Sequence, residues 1–137
     1  MTSYVLDCWA MLEAVFGQPG AAKVQSYLEQ ADGGACRLLM SWINAGEAVY
    51  MTARKRGSEA AERLERAMVE SFPIELCLPD SAAILRAARI QAASRLAYAD
   101  AFAVELALAN DAAIITGDPE IRAQGAARLI WVGPEPA

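Results

Sequence analysis

The sequence predicts a three-layer α/β/α domain. Five short apolar runs are spaced along the chain, helix start and stop signals lie between them, and no repeat, low-complexity tract or linker breaks the alternation. A length of 137 residues suits one domain with one core, so residues 1–137 are read as a single unit.

The first run, Ser3–Asp7, ends an apolar stretch on a carboxylate. "CWAMLEAVFG" follows as a helix stopping at Gly17, and a second helix begins after Pro19 and ends at Gly33-Gly34. Cys36–Ser41 is the next strand. Trp42–Arg56 then forms a helix stopped by Gly57, and Ser58 is expected to cap another that reaches about Ser71. A third strand spans Ile74–Leu78. Asp80 or Ser81, after Pro79, is placed to cap a long Ala-rich helix, and Tyr98–Asn110 forms one more. Ala112–Thr116 and Leu129–Val132 complete the strands. None alternates cleanly between apolar and polar, which is the pattern of strands covered on both faces; strands alternating with helices imply βαβ units and a parallel sheet.

Composition removes several chemistries. Histidine is absent, which excludes histidine-dependent triads, imidazole acid–base catalysis and most catalytic zinc sites. The three cysteines, Cys8, Cys36 and Cys77, lie in or beside apolar segments and are read as buried reduced thiols, which favours a cytoplasmic setting. No apolar run approaches the ~20 residues that cross a bilayer, and the first residues lack a secretory signal pattern. Net charge is −5, which argues against a polyanionic partner unless bound cations change the balance locally.

Four acids invite a chemical reading, and each has a structural alternative. Asp7 ends a strand, where parallel sheets gather functional groups, yet Asp is also a favoured helix cap. Glu47 shares a helical face with Ile43, Tyr50 and Met51; a carboxylate on such an apolar stripe must be paired or aimed at a polar cavity. Asp100 stands in the first turn of its helix, where the dipole alone favours an acid. Asp118 follows a strand in "TGDPE", which is also a good helix start. Together they are more informative, since these positions can converge on one cleft of a parallel sheet. Clustered carboxylates raise one another's pKa values and need a positive partner, and an all-oxygen set points to Mg²⁺ or Mn²⁺.

The stretches "YVLDCWAMLEAV", "NAGEAVYM", "YADAFAVELA" and "IITGDPEI" resemble, in order and spacing, the successive motifs of the PIN-domain ribonucleases, above all the small VapC-type toxins of bacterial and archaeal toxin–antitoxin pairs. The resemblance covers essentially the whole chain. It implies a parallel five-stranded sheet in the order 3-2-1-4-5, an acidic pocket for Mg²⁺ or Mn²⁺, and endonucleolytic cleavage of RNA. By motif, Asp7, Glu47, Asp100 and Asp118 correspond to the catalytic and metal-binding acids, with Thr116 as a supporting hydroxyl. Asp7 and Asp100 are assigned to the first ion, with Glu47 and Asp118 contributing directly or through water. Many relatives carry a serine, threonine or asparagine two residues after the first acid. Trp9 stands there, which offers no hydroxyl ligand; it either narrows the pocket or packs in the core or at an interface.

RNA contact is assigned to Arg54, Lys55 and Arg56 at one helix end and to Arg86 and Arg89 on the Ala-rich helix, where Arg95 also lies; solvated helix faces are the alternative. The resemblance further implies a cognate antitoxin and a homodimer. The segment "VQSYLEQ" and the Glu59–Arg66 helix are candidate groove walls or plain core packing. Two other readings compete. One is a catalytically degenerate PIN-fold module that binds RNA or protein, which the full set of acids disfavours. The other is a phosphoacceptor domain, which needs a lysine after a late strand, whereas the two lysines are Lys23 and Lys55; a haloacid-dehalogenase-like phosphatase needs a second Asp that "DCWAM" lacks.

Overall fold

The structure, a computed structural model, describes residues 1–135. A five-stranded parallel sheet runs β3-β2-β1-β4-β5, with β1 at Ser3–Leu6, β2 at Arg37–Ser41, β3 at Glu75–Cys77, β4 at Ala113–Thr116 and β5 at Leu129–Trp131. This is the strand order expected. Each strand lies within its predicted run and is shorter by one or two residues, because pairing stops where a capping residue or turn takes the backbone.

Adjacent residues on the central strands point to opposite layers. Leu6, Leu38, Met40 and Ile115 pack on one face with Met11 and Leu12 of α1 (Cys8–Val15), Val24 and Leu28 of α2 (Ala21–Asp32), and Leu64 and Met68 of α4 (Ser58–Glu70). Val5, Leu39 and Ile114 pack on the other face with Ala103, Val104 and Ala107 of α6 (Tyr98–Ala109) and Ile121 of α7 (Pro119–Gln124). This is why the strands read as continuous apolar runs. The "VQSYLEQ" stripe and the Glu59–Arg66 helix therefore spend their apolar residues on the core, through Val24, Leu28, Ala61 and Leu64.

Local signals account for most boundaries. The side chains of Asp7, Ser41, Asp80 and Asp118 accept from backbone N–H groups at the starts of α1, α3 (Trp42–Arg56), α5 (Ser81–Ala92) and α7. Gly57 separates α3 from α4 at φ +91°, a conformation that L-residues with side chains rarely adopt. Ser58 was expected to cap α4. It is instead the first helical residue, with Gly57 at the cap and no side-chain hydrogen bond there.

Two further expectations are corrected. The face shared by Glu47, Ile43, Tyr50 and Met51 is not a buried apolar stripe: Ile43 is 36% exposed and Tyr50 52%. α3 turns its small residues inward, burying Asn44, Ala45, Ala48 and Thr52, and Glu47 stands at the margin of that stripe. Among the cysteines, Cys8 and Cys36 are buried free thiols, but Cys77, near an edge of the sheet, is only half-buried. Among the described residues, no helix is long and apolar enough to cross a membrane.

Candidate metal centre

The chain departs from β1 toward one side of the sheet, through β2 and β3, and returns to β4 on the other side. The reversal falls between β1 and β4, and in open parallel sheets the crevice beyond the carboxyl ends at such a point collects ligands. Leu6 pairs with Ile115, so the next residues, Asp7 and Thr116, emerge side by side. The Thr116 hydroxyl donates to Oδ2 of Asp7 and accepts from the backbone N–H of Asp118 at 3.0 Å. Oδ1 of Asp7 accepts from the N–H of Ala10 at 2.8 Å. Both oxygens of Asp7 thus carry a hydrogen bond, and the residue, 1% exposed, lies beneath the cavity without lining it.

Above it stand the other acids. Carboxylate oxygens of Asp100, Asp118 and Glu120 lie within 4.8 Å of one another. Glu47, half-buried on α3, faces the same cavity, whose volume is about 550 Å³. Asn44, one turn before Glu47 and fully buried, donates from Nδ2 to the carbonyl of Ala99 at 2.9 Å and so ties α3 to the turn of α6 that carries Asp100.

The electrostatics follow from this crowding. Burial pushes the Asp7 carboxyl up to about 7, against the lowering effect of Thr116 and Ala10, with Asp118 and Glu47 adding repulsion. Asp100 is pushed up to about 8, first by burial and then by the charges of Asp118, Asp7 and Glu47. Glu47 is also raised, by desolvation and by Asp118, although Cys8 partly offsets this. The three shifts share their causes, burial first and then the charge of neighbouring carboxylates. Burial, then the neighbouring carboxylates, pushes the Cys8 thiol far above its ordinary value, so it stays protonated and is no nucleophile.

Among the described residues, no basic side chain forms an ion pair with these acids, and Lys55 is the basic residue in the cavity's lining. The ion pairs among the described residues are Arg37–Glu75, Arg86–Glu105, Arg122–Glu135 and Arg128–Asp111, and none includes a site acid. A compact all-oxygen set, partly desolvated and without a basic partner, fits a hard divalent cation.

The structure therefore brings together Asp7, Glu47, Asp100, Asp118 and Thr116. Of the candidate RNA contacts, Lys55 lines the same cavity, and the Arg56 guanidinium lies 4.3 Å from the ring centroid of Phe16, another lining residue. Arg54 sits over exposed Tyr50. Arg86 is elsewhere, paired at 3.3 Å with buried Glu105 beside a separate cavity of about 180 Å³. Arg89 and Arg95 do not line the acidic cavity; Arg95 borders another, with Leu96 and Pro119. Trp9 does line it, and its indole lies so close to Gly117 that a Cβ there would fall 2.2 Å from the ring. Glu120 was missed: an acid in a first helical turn is expected from the helix dipole alone, and only its position two residues after Asp118 hinted at more.

The PIN domain family matches residues 4–126. No curated protein matches the chain. Among solved structures, the chain is similar to DNA-bound VapBC from Salmonella typhimurium, with a TM-score of 0.75, 14% identity, and 96% of this chain and 99% of that one covered. VapBC2 from Rickettsia felis, bound to a DNA fragment from its promoter, gives 0.73 at 15% identity over 94% and 98%. VapC20 from Mycobacterium tuberculosis, a toxin that cleaves the sarcin-ricin loop, gives 0.69 at 13% identity over 89% and 95%. At these identities the likeness is one of fold.

Proposed function

Because the chain belongs to the PIN-domain family, we propose that it is an endoribonuclease toxin of the VapC type, dependent on Mg²⁺ or Mn²⁺. The observation that carries this reading is the convergence at the switch point of the sheet of carboxylates, Asp7 and Asp100 buried among them, that repel one another and have no ion-pair partner. Asp100, Asp118 and Glu120 would hold the ion, with Glu47 across the cavity and Asp7 beneath. Once bound, a divalent ion supplies charge neutralisation for a phosphodiester and activation of a water.

The chain's own residues do the rest. Thr116 fixes the rotamer of Asp7 and, through the Asp118 N–H, the start of α7, so two acids keep one geometry. Asn44 holds the Glu47 and Asp100 helices together. The raised values of Asp7 and Asp100 keep the metal-free cluster partly neutral, and an arriving cation releases those protons. Lys55 supplies a positive charge in a cavity whose other charged residues are all acidic.

The similar folds of VapBC complexes support an antitoxin partner for this chain. The same reading places it in the cytoplasm, where its RNA substrate is. It also includes a homodimer: exposed Ile43 and Tyr50, two turns apart on α3, and Trp42 and Leu78, just past the paired ends of β2 and β3, supply apolar surface for it. The deciding experiment is cleavage of an RNA panel that includes tRNA and rRNA, with Mg²⁺ or Mn²⁺. The chain should cut at defined positions and Asp100→Asn should not; an inactive parent chain across the panel would refute the reading.

A further inference from the structure

The cavity extends well beyond its acids. α1 and α3 run side by side, joined by a contact of 3.9 Å between Sγ of Cys8 and Sδ of Met51. On α1, Trp9, Leu12 and then Phe16 at its end follow one another on a single face; on α3, Glu47, Met51 and Lys55 do the same one turn apart. These two rows form the walls of a groove. It begins at the carboxylates and ends two helical turns away, about 11 Å, at the ammonium of Lys55. Arg56 lies over the Phe16 ring at that same end.

We infer that this groove is the path of an unpaired RNA strand next to the scissile phosphate, with a base stacked on Trp9 and a later phosphate held by Lys55. The inference rests on the nuclease reading and adds the part of the site that recognises substrate. Charge order supports a nucleic acid: the acidic end, once it carries a cation, and the basic end both attract phosphate, while the wall between them is mainly aromatic and apolar, its one carboxylate, Glu13, accepting from the Gly20 N–H at 3.0 Å. The length suits about three nucleotides at 3.4 Å per nucleotide in a stacked strand. Trp9 is suited to stacking because its ring is braced. Its indole lies against Gly117, whose missing side chain leaves room for it, and Gly117 is itself backed by Gly133. A ring fixed on one side and open to the cavity on the other is the arrangement that base–aromatic stacking uses, and it is indifferent to base identity.

The test is a fluorescence titration with an unstructured nine-nucleotide RNA carrying 2-aminopurine at successive positions. It uses the full chain in an Asp100→Asn background, which silences cleavage. Quenching should appear at one part of the walk. Trp9→Leu should abolish it and weaken binding about tenfold, and Trp9→Phe should restore most of the affinity. Lys55→Gln should lower the slope of log K against log salt by about 0.7, the value for one phosphate contact on a single strand. Thermal melting of each variant separates these effects from unfolding. Unchanged binding and salt slope in folded Trp9→Leu and Lys55→Gln would overturn the inference and leave the groove to a protein partner. Cleavage by the parent chain runs in parallel. If it occurs and survives both substitutions unchanged, the groove fails alone; if it is absent, the nuclease reading fails and the titration still judges the groove.

Discussion

Asp7, the residue after β1, and Thr116, the last of β4, stand side by side although 109 residues apart in the chain, and the Thr116 hydroxyl donates to Oδ2 of Asp7. That bond is the main local force holding the Asp7 carboxyl toward its ionised form against burial. Thr116→Val keeps the shape and removes the donor. It should destabilise the protein by about 1–3 kcal/mol in chemical denaturation, the usual result of stranding a buried acceptor. It should also move the acid limb of any cleavage profile to higher pH, because Asp7 then ionises less readily. Thr116→Ser should restore both.

The metal-free protein should lose stability as pH rises. Asp7 and Asp100 have folded-state values of about 7 and about 8, above the ordinary 3.8, so between pH 4 and 8 the folded chain binds more protons than the unfolded one. Stability is therefore highest below about pH 4 as far as these two groups are concerned, and falls through pH 7–8. The loss is on the order of a few kcal/mol for Asp7 alone. Urea midpoints at pH 5 and pH 8 measure it. Adding Mn²⁺ at pH 8 should reverse much of the fall, and Asp7→Asn should flatten the dependence without metal.

Glu120→Gln should weaken Mn²⁺ binding by tenfold or more, as measured by calorimetry, with little change in folding. Glu120 is exposed. The control is Glu135→Gln, an exposed acid paired with Arg122 and outside the cavity, which should leave metal binding unchanged.

Gly117→Ala should displace Trp9. The added methyl would overlap the far edge of the indole, which must swing away, and Gly117 has no positive φ to make alanine costly in itself. The expected readout is a changed tryptophan emission spectrum and weakened RNA cleavage in a protein that still melts cooperatively. An unaltered spectrum would mean that the indole does not rest on Gly117.

Much of this architecture is legible in the chain. The apolar runs, caps and glycine stops mark nearly every element, because each arises from local backbone chemistry. Asp7 and Asp118 could be placed because both lie just beyond strands. Glu47 reached the cavity for a different reason from the one its neighbours suggested, since α3 packs through alanine, Asn44 and Thr52 and leaves Ile43 and Tyr50 in solvent. Glu120 was hidden by a sufficient local explanation. The seating of Trp9 on Gly117 and the pairing of Arg86 with Glu105 depend on approaches between distant segments, to which helical periodicity is blind.

Asp7 and Asp118 each do double duty, accepting a helix-start hydrogen bond while contributing charge to the acidic cluster. Genetic decay of such a site is costly in a particular way. A lineage relieved of selection for cutting could not discard these two aspartates one at a time without also fraying α1 or α7, so inactive descendants that still fold should more often have lost Glu47, Asp100 or Glu120. Surveying which acid disappears first would show whether architecture, rather than activity, guards the others.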